Sequence, residues 1–339
     1  MADLGTGLDR QVAHLLAGAP GPDERAAAAV AERAAAVLRP AGALATLDEL
    51  AGWLAAWQGT TRPAVRRPAA VVFAADHGVV ASGVSAYGAE VTAAMVKALR
   101  EGVATACVLA AQVGATLEVV DVGVGDPTAD LARGPALDPA RFRACVQAGR
   151  DAVAGLDADL LVLGEMGIGN TTAAAAVTAI LLGRPAAAAT GRGAGVDDAG
   201  LARKVAAVEA AQDRVGTGAA PMEVLRQAGG AELAALAGAA LEARLRRLPL
   251  LLDGFVVTAA VAPLELLRPG ALANAVAGHR SAEPGHTALL ERLGKRPLLD
   301  LGMRLGEGSG ALAAVPLLRL AAAAVTEVAT FAEWGLERR

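Results

Sequence analysis

The sequence predicts an α/β protein: a parallel sheet with helices on both faces, beside a small helical domain assembled from the two chain ends. Three observations carry that prediction. From Pro68 onward, continuous apolar runs of strand length end in Gly, Asp or Glu clusters and alternate with alanine-rich helical stretches. That is the pattern of strands buried on both faces. The segments on either side of this region read as helices. Polar residues gather at the carboxyl ends of the apolar runs, the edge where an open parallel sheet binds ligands.

In chain order, ERAAAVLRP (32–40) reads as a helix stopped by Pro40. TLDELAGWLAAWQG (46–59) reads as a second, with Thr46 as the N-cap signal, early acids and a closing Gly59. Six strand-length runs follow: AAVVFAADHG (69–78), ATLEVVDVGVG (115–125), ADLLVLGEMGIGN (158–170), LPLLLDGFVV (248–257), ANAVAGHRSAE (273–283) and PLLDLGMRLGEG (297–308). From Ala311 to about Trp334 the pattern is helical again. The expected division is 1–62 and 311–339 for the small helical domain and 63–310 for the α/β domain.

Composition narrows the function. The 339 residues suffice for a sizeable core. They are 54% hydrophobic but only 2% aromatic, with alanine at about a quarter of the chain, so that core is built from small side chains and closely packed backbones. With 31 basic and 35 acidic residues the net charge is −4, which argues against a nucleic-acid partner. Mean hydropathy of +0.43 raises the question of a membrane span. The longest apolar stretches, however, contain Gly, Asn and Thr (166–183) or Asp253 and two prolines (248–264), so none is expected. Asp3 and Asp9 stand where a secretory signal would be basic and apolar. Cys107 and Cys145 match no disulfide or metal spacing. A cytoplasmic protein is expected.

At the strand ends lie Asp76 with His77, Asp121, Glu165, Asp253, His279 with Glu283, and Glu307. Some of these also fit ordinary turn and cap positions. GEMGIGNTT (164–172) follows a strand and opens a helix. Its glycines allow close backbone approach, and free N–H groups at a helix start favour an anion. It is neither a Walker A loop nor a G-x-G-x-x-G turn. GRGAGVDDAGLARK (191–204) pairs a glycine loop with Lys204, either a point charge for phosphate or a solvated helix lysine. In MRLGEGSG (303–310), Glu307 sits between two glycines. It suits a general base if burial raises its pKa, or a helix-start acid. HRSAEPGH (279–286) has ligand-like residues, but Pro284 and Gly285 interrupt the helix that would align them.

Read together and in this order, FAADHGVVASGVSAYGAEVT, VVDVGVG, GEMGIGNTTAAAA, GRGAGVDD, LLDGFVVTAA, HRSAEPGH and LGMRLGEGSGALAA resemble the nicotinate-nucleotide–dimethylbenzimidazole phosphoribosyltransferase family, from Leu38 to Phe331. The resemblance implies a homodimer with a Rossmann-like sheet and no metal or organic cofactor. It implies transfer of the 5-phosphoribosyl group of nicotinate mononucleotide to 5,6-dimethylbenzimidazole, giving nicotinate and α-ribazole 5′-phosphate with inversion. Glu307 would be the general base. Phosphate would meet Gly167, Gly169, Asn170, Thr171 and Thr172, with Lys204 and Ser281 as further donors. Gly193 and Gly195 would lie against the nucleotide, Glu165 would hold the ribose or supply a second carboxylate, and Asp253 would join the substrate site. Tyr87, Met95, Met166 and Leu305 would form the slot for the flat base.

The chain departs from the family at PAGALA (40–45), where Pro-Gly-Ser-Leu-Gly is usual, and at Gly88 after Tyr87, where proline is common. These departures leave the acceptor open to another benzimidazole, a purine or a phenolic. Two other classes compete: a metal-dependent phosphohydrolase using Asp76, His77 and His279, and a non-catalytic nucleotide-binding regulator.

Overall fold

A computed structural model describes residues 7–337, and Asp3 falls outside them. In chain order the elements are α1 (Gly7–Ala17), α2 (Glu24–Ala36), α3 (Ala45–Gln58), β1 (Pro68–Ala75), a 3-10 turn (Gly78–Ser82), α4 (Glu90–Arg100), α5 (Thr105–Gln112), β2 (Thr116–Gly123), α6 (Pro139–Ala154) and β3 (Leu160–Met166). Then come α7 (Asn170–Leu182), α8 (Ala186–Ala189), α9 (Asp198–Val215), α10 (Pro221–Ala228), α11 (Ala231–Leu245), β4 (Leu250–Leu252), α12 (Phe255–Leu267), β5 (Ala275–Ala277), α13 (Pro284–Arg292) and α14 (Ser309–Thr326). The five strands form one parallel sheet in the order β2-β1-β3-β4-β5. The chain leaves β1 toward β2 and then returns across it to β3. This reversal opens a crevice at the carboxyl ends of β1 and β3.

Side chains alternate along each strand between two cores. Val71, Phe73, Leu161 and Leu163 face the larger core with α6, α7, α11 and α12. Ala70, Val72, Leu160 and Val162 face the second, with α3, α5 and α14. Both faces are covered, which is why the strands read as unbroken apolar runs. A third, small cluster joins Ala26 and Val30 of α2, Ala51 and Ala55 of α3, and Val325 of α14. An isolated bridge between Val37 and Thr330 ties the two ends together. α1 lies elsewhere, against α10, α11 and α12, and its Asp9 accepts the Met222 N–H at 3.0 Å.

Several sequence expectations are corrected. The run 297–308 is not a sixth strand: Leu299 makes one bridge to His279, after which the chain has no regular structure until α14. Exposed Leu301 and Leu305 break the two-sided burial a central strand needs. In the fourth run only Leu250–Leu252 is strand, and Phe255 already belongs to α12. The first predicted helix begins earlier, because Asp23 caps α2 by accepting the N–H groups of Arg25 and Ala26 at 3.1 and 3.0 Å. It ends at Ala36 rather than at Pro40. Thr46 does not cap α3, which starts from Leu44 without a side-chain cap. Thr46 instead accepts from the Arg296 guanidinium at 2.9 Å.

The small-residue composition is visible in α11, almost entirely buried between the sheet and its neighbours. At its crossing with α6, Gly238 lies against the Val146 carbonyl and Gly149 against that of Ala235; a methyl group on either would overlap the opposing oxygen. Among the described residues only α14 has the length and apolar character of a membrane span, and it packs on α3 and α5 inside the fold. Gly238→Val is expected to lower stability by about 1–3 kcal/mol through overpacking, read as an earlier midpoint in urea unfolding.

Candidate active site

The crevice between β1 and β3 holds a cavity of about 690 Å³, within the size range of small-molecule sites. It is lined by Glu307, Glu165, Gly167, Gly169, Asn170, Thr171, Gly193, Lys204, Asp253, Ser281, Tyr87, Met95, Met166 and Leu305, all anticipated from the sequence. Two anticipated residues do not line it. Thr172 is buried in the first turn of α7, and Gly195 occupies a turn at φ +108 facing open space. Arg192, Arg304, Phe255, His279 and Glu283 also line the cavity. The two arginines were not legible as site residues, because no spacing rule links 192 to 304. None of residues 40–45 contributes to the wall.

Glu307 is held by backbone geometry. It adopts φ +61, one of only two non-glycine residues at positive φ among the described residues, flanked by Gly306 and Gly308 at +91 and +80. Its N–H donates to the Glu165 carbonyl at 3.1 Å. Gly164 lies directly beneath: a methyl group there would sit 2.6 Å from the Glu307 carbonyl carbon and the Gly308 nitrogen. The Glu307 carboxylate accepts the Ala106 N–H at 3.3 Å, at the start of α5. Burial pushes its pKa up against that hydrogen bond, and the Asp253 charge adds to the rise.

Glu165, at the end of β3, accepts a short hydrogen bond from the Asn170 side-chain amide. Burial first, then the negative charges of Asp253 and Glu232, push its pKa up to about 8. It is therefore a neutral acid near pH 7, able to donate as well as accept. Asp253 is already committed: it accepts the N–H groups of Gly308 (3.2 Å) and Ala311 (2.9 Å) at the start of α14 and faces His279 Nε2 at 3.4 Å. Its first task is to anchor the turn that carries Glu307.

Opposite the carboxylates is a basic basin. Lys204 is buried, with Nζ donating to Thr171 Oγ1 at 2.8 Å. Burial lowers its pKa to about 8, opposed by the Glu283 charge. Gly193, at φ +54, lets the second glycine loop close over this pair, since a methyl group there would lie 2.7 Å from Thr171 Oγ1 and 2.9 Å from Lys204 Nζ. The Gly193 N–H donates to Glu283 at 3.0 Å, and Arg304 donates to the Gly193 carbonyl at 2.7 Å. α7 starts from Gly169 at φ +94, and the Thr171 hydroxyl of its first turn holds the lysine, which puts a cation beside the positive end of a helix, a setting suited to an anion.

The other strand-end polar residues are used by the fold. Asp76 accepts the Gly125 N–H at 2.8 Å, and Asp121 accepts those of Gly123 and Val124 at 3.1 and 2.9 Å. His77 pairs with Glu232 at 2.6 Å, both fully buried. His286 accepts the Ser281 N–H on Nδ1 at 2.8 Å and contacts Thr258 Oγ1 through Nε2 at 2.9 Å. Burial and the neighbouring His279 push its pKa down to about 3. Among the described residues, no group of three or more His, Cys, Asp or Glu side chains is arranged to hold a metal ion.

A buried lysine packed on the glycine-rich start of α7 shares one crevice with buried carboxyl groups, an arrangement that suits an enzyme acting on a phosphorylated small molecule. The Phosphoribosyltransferase family profile matches residues 19–336. Nicotinate-nucleotide–dimethylbenzimidazole phosphoribosyltransferase of Cereibacter sphaeroides is 49% identical over 318 residues, covering 94% of both chains. That of Mesorhizobium japonicum is 50% identical over 321 residues, covering 94% of this chain and 95% of the relative. The crystal structure of CobT from Thermus thermophilus superposes with a TM-score of 0.89 at 46% identity, over 93% of this chain and all of that one. The chain belongs to the nicotinate-nucleotide–dimethylbenzimidazole phosphoribosyltransferase family.

Glu165 yields a pH test. Its folded pKa of about 8 lies above the ordinary 4.5, so between those values the native state holds a proton that the unfolded state has lost. Stability therefore falls through this group as pH rises across that window. In urea unfolding from pH 5 to 8, wild type is expected to lose stability relative to Glu165→Gln, and a constant difference would contradict it.

Proposed function

We propose that the protein transfers the 5-phosphoribosyl group of nicotinate mononucleotide to 5,6-dimethylbenzimidazole, giving nicotinate and α-ribazole 5′-phosphate with inversion at the anomeric carbon. The observation that carries this reading is Glu307: a buried carboxyl of raised pKa, fixed at positive φ, in the same cavity as the Lys204 basin. The 5′-phosphate binds at Lys204, Thr171 and the Gly167–Asn170 turn, which the Thr172 N–H closes by donating to the Gly169 carbonyl. Ser281 and Gly193 complete the glycine-loop side, with Gly195 turning the loop outside the cavity, and Glu165 donates to a ribose hydroxyl from its protonated carboxyl.

The pyridinium of the donor leaves as neutral nicotinate, so its ring nitrogen needs no acid. The bare nitrogen of the benzimidazole attacks from the opposite face, and its N–H gains acidity as positive charge develops. Glu307 takes that proton. Met95, Met166, Leu305 and Tyr87 hold the flat ring. Asp253 acts through the turn, as a positioning residue.

A homodimer completes the reading. Tyr87 and Leu305 are 52% and 56% exposed at the mouth of the cavity, and Val103 and Val108 expose apolar side chains beside Ala106, the residue that meets Glu307. A second copy covering this face would enclose the acceptor. In this reading α2, α3 and α14 form the small domain expected of 1–62 and 311–339, with α1 packed apart from it, and a cytoplasmic setting suits the free thiols Cys107 and Cys145.

Glu307→Gln tests it, with nicotinate release measured at saturating nicotinate mononucleotide and a panel of benzimidazoles, purines and phenolics. Turnover is expected to fall about 10²–10⁴-fold with donor affinity little changed. Unchanged turnover removes the base assignment, and no release by wild type with any acceptor removes the reaction.

A further inference from the structure

At the amino ends of the strands, on the edge of the sheet opposite the crevice, a second cavity of about 530 Å³ is lined by five arginines and one carboxylate. Arg62, Arg66 and Arg67 come from the loop before β1, Arg246 and Arg247 from the turn before β4, and Asp159 precedes β3. This concentration stands out in a chain whose net charge is −4.

The walls are built and fixed. Asp159 accepts the N–H groups of Arg66 and Arg67 at 2.8 and 3.0 Å. Gln58 donates to the carbonyls of Ala64 and Asp159 at 2.7 and 3.1 Å. Arg246 is committed to the carbonyls of Val153 and Leu156, and Arg247 donates to the Ala56 carbonyl at 2.7 Å. Arg67 has only the exposed Asp157 at 3.2 Å.

Two features exceed what the fold requires. The guanidinium groups of Arg62 and Arg66 make no hydrogen bond or ion pair among the described residues, and Arg247 Nε is buried without a partner. Arg247 also sits at φ +56, just beyond α11. Helices commonly place glycine in that conformation at their ends, as α3 and α7 do with Gly59 and Gly183. Here a strained arginine occupies it. Behind it Arg244 is stacked on Trp57 at 4.9 Å, its pKa lowered by burial and by the charges of Arg247 and Arg268. Like charges are crowded with too few counter-charges to balance them.

We propose that this cavity binds a small, multiply charged phosphate anion of the di- or triphosphate class, at a site separate from the catalytic crevice. Planar guanidinium groups match phosphate oxygens in bidentate pairs. The concave volume suits a small molecule, and the net charge of −4 disfavours a nucleic acid.

Calorimetric titration with inorganic tripolyphosphate tests this on wild type, Lys204→Met and the double variant R62A/R66A. Sulfate at matched ionic strength serves as the control. Both replaced arginines are exposed and lack side-chain partners, so the double variant is expected to keep the melting temperature and the nicotinate release of wild type. Saturable binding is expected in wild type and Lys204→Met, weakened about 10- to 100-fold in R62A/R66A. The proposal fails if tripolyphosphate binding does not saturate, matches that of sulfate, persists unchanged in R62A/R66A, or is lost in Lys204→Met.

Discussion

The catalytic side of the molecule depends on one close approach, that of the Gly306–Gly308 turn to Gly164 in the middle of the sheet. No side chain at 164 would leave room for it. The Glu307 N–H is tied to the Glu165 carbonyl, and Asp253 ties the start of α14 to the end of β4. Two strands thus fix one short loop from beneath and beside. The left-handed conformation this imposes on Glu307 is costly for a residue with a side chain. It is maintained because backbone hydrogen bonds over-determine it.

The same contact concentrates negative charge. Glu165, Asp253 and Glu307 share a buried space: the Asp253 charge makes both glutamates harder to ionise, and the Glu307 charge adds to the effect on Glu165. The site distributes the strain by giving each group a different environment. Asp253 receives two N–H groups and faces His279, so its charge is used by the start of α14. Glu165 holds its proton. Glu307 keeps one N–H and a raised pKa, the condition of a carboxylate ready to accept a proton. Across the crevice Lys204, Arg192 and Arg304 bring positive charge to the same cavity.

Much of this was legible in the sequence. Continuous apolar runs disclosed a parallel sheet, and glycine-rich segments at their ends disclosed the ligand edge, because few other residues permit such approaches. Periodicity misled where local pattern and tertiary role diverge. PLLDLGMRLGEG has the apolar content of a strand, yet its glycines serve a turn. Asp253 has the identity of a substrate ligand, yet its first partners are backbone N–H groups of a helix distant in sequence. Arg192, Arg304 and the arginine-lined cavity were not legible, since residues far apart in the chain meet only after the loops fold. Aromatic scarcity also acquires a reason: crossings such as that of α6 and α11 leave no space for rings.

A double-mutant cycle on nicotinate release, combining Gly164→Ala with Glu307→Gln, measures the central coupling most directly. If the sheet contact is what positions the base, each single change removes the same contribution. Gly164→Ala should then lower turnover nearly as far as Glu307→Gln, and the double variant should fall little further. Full turnover in Gly164→Ala, or two losses that simply multiply, would contradict the account.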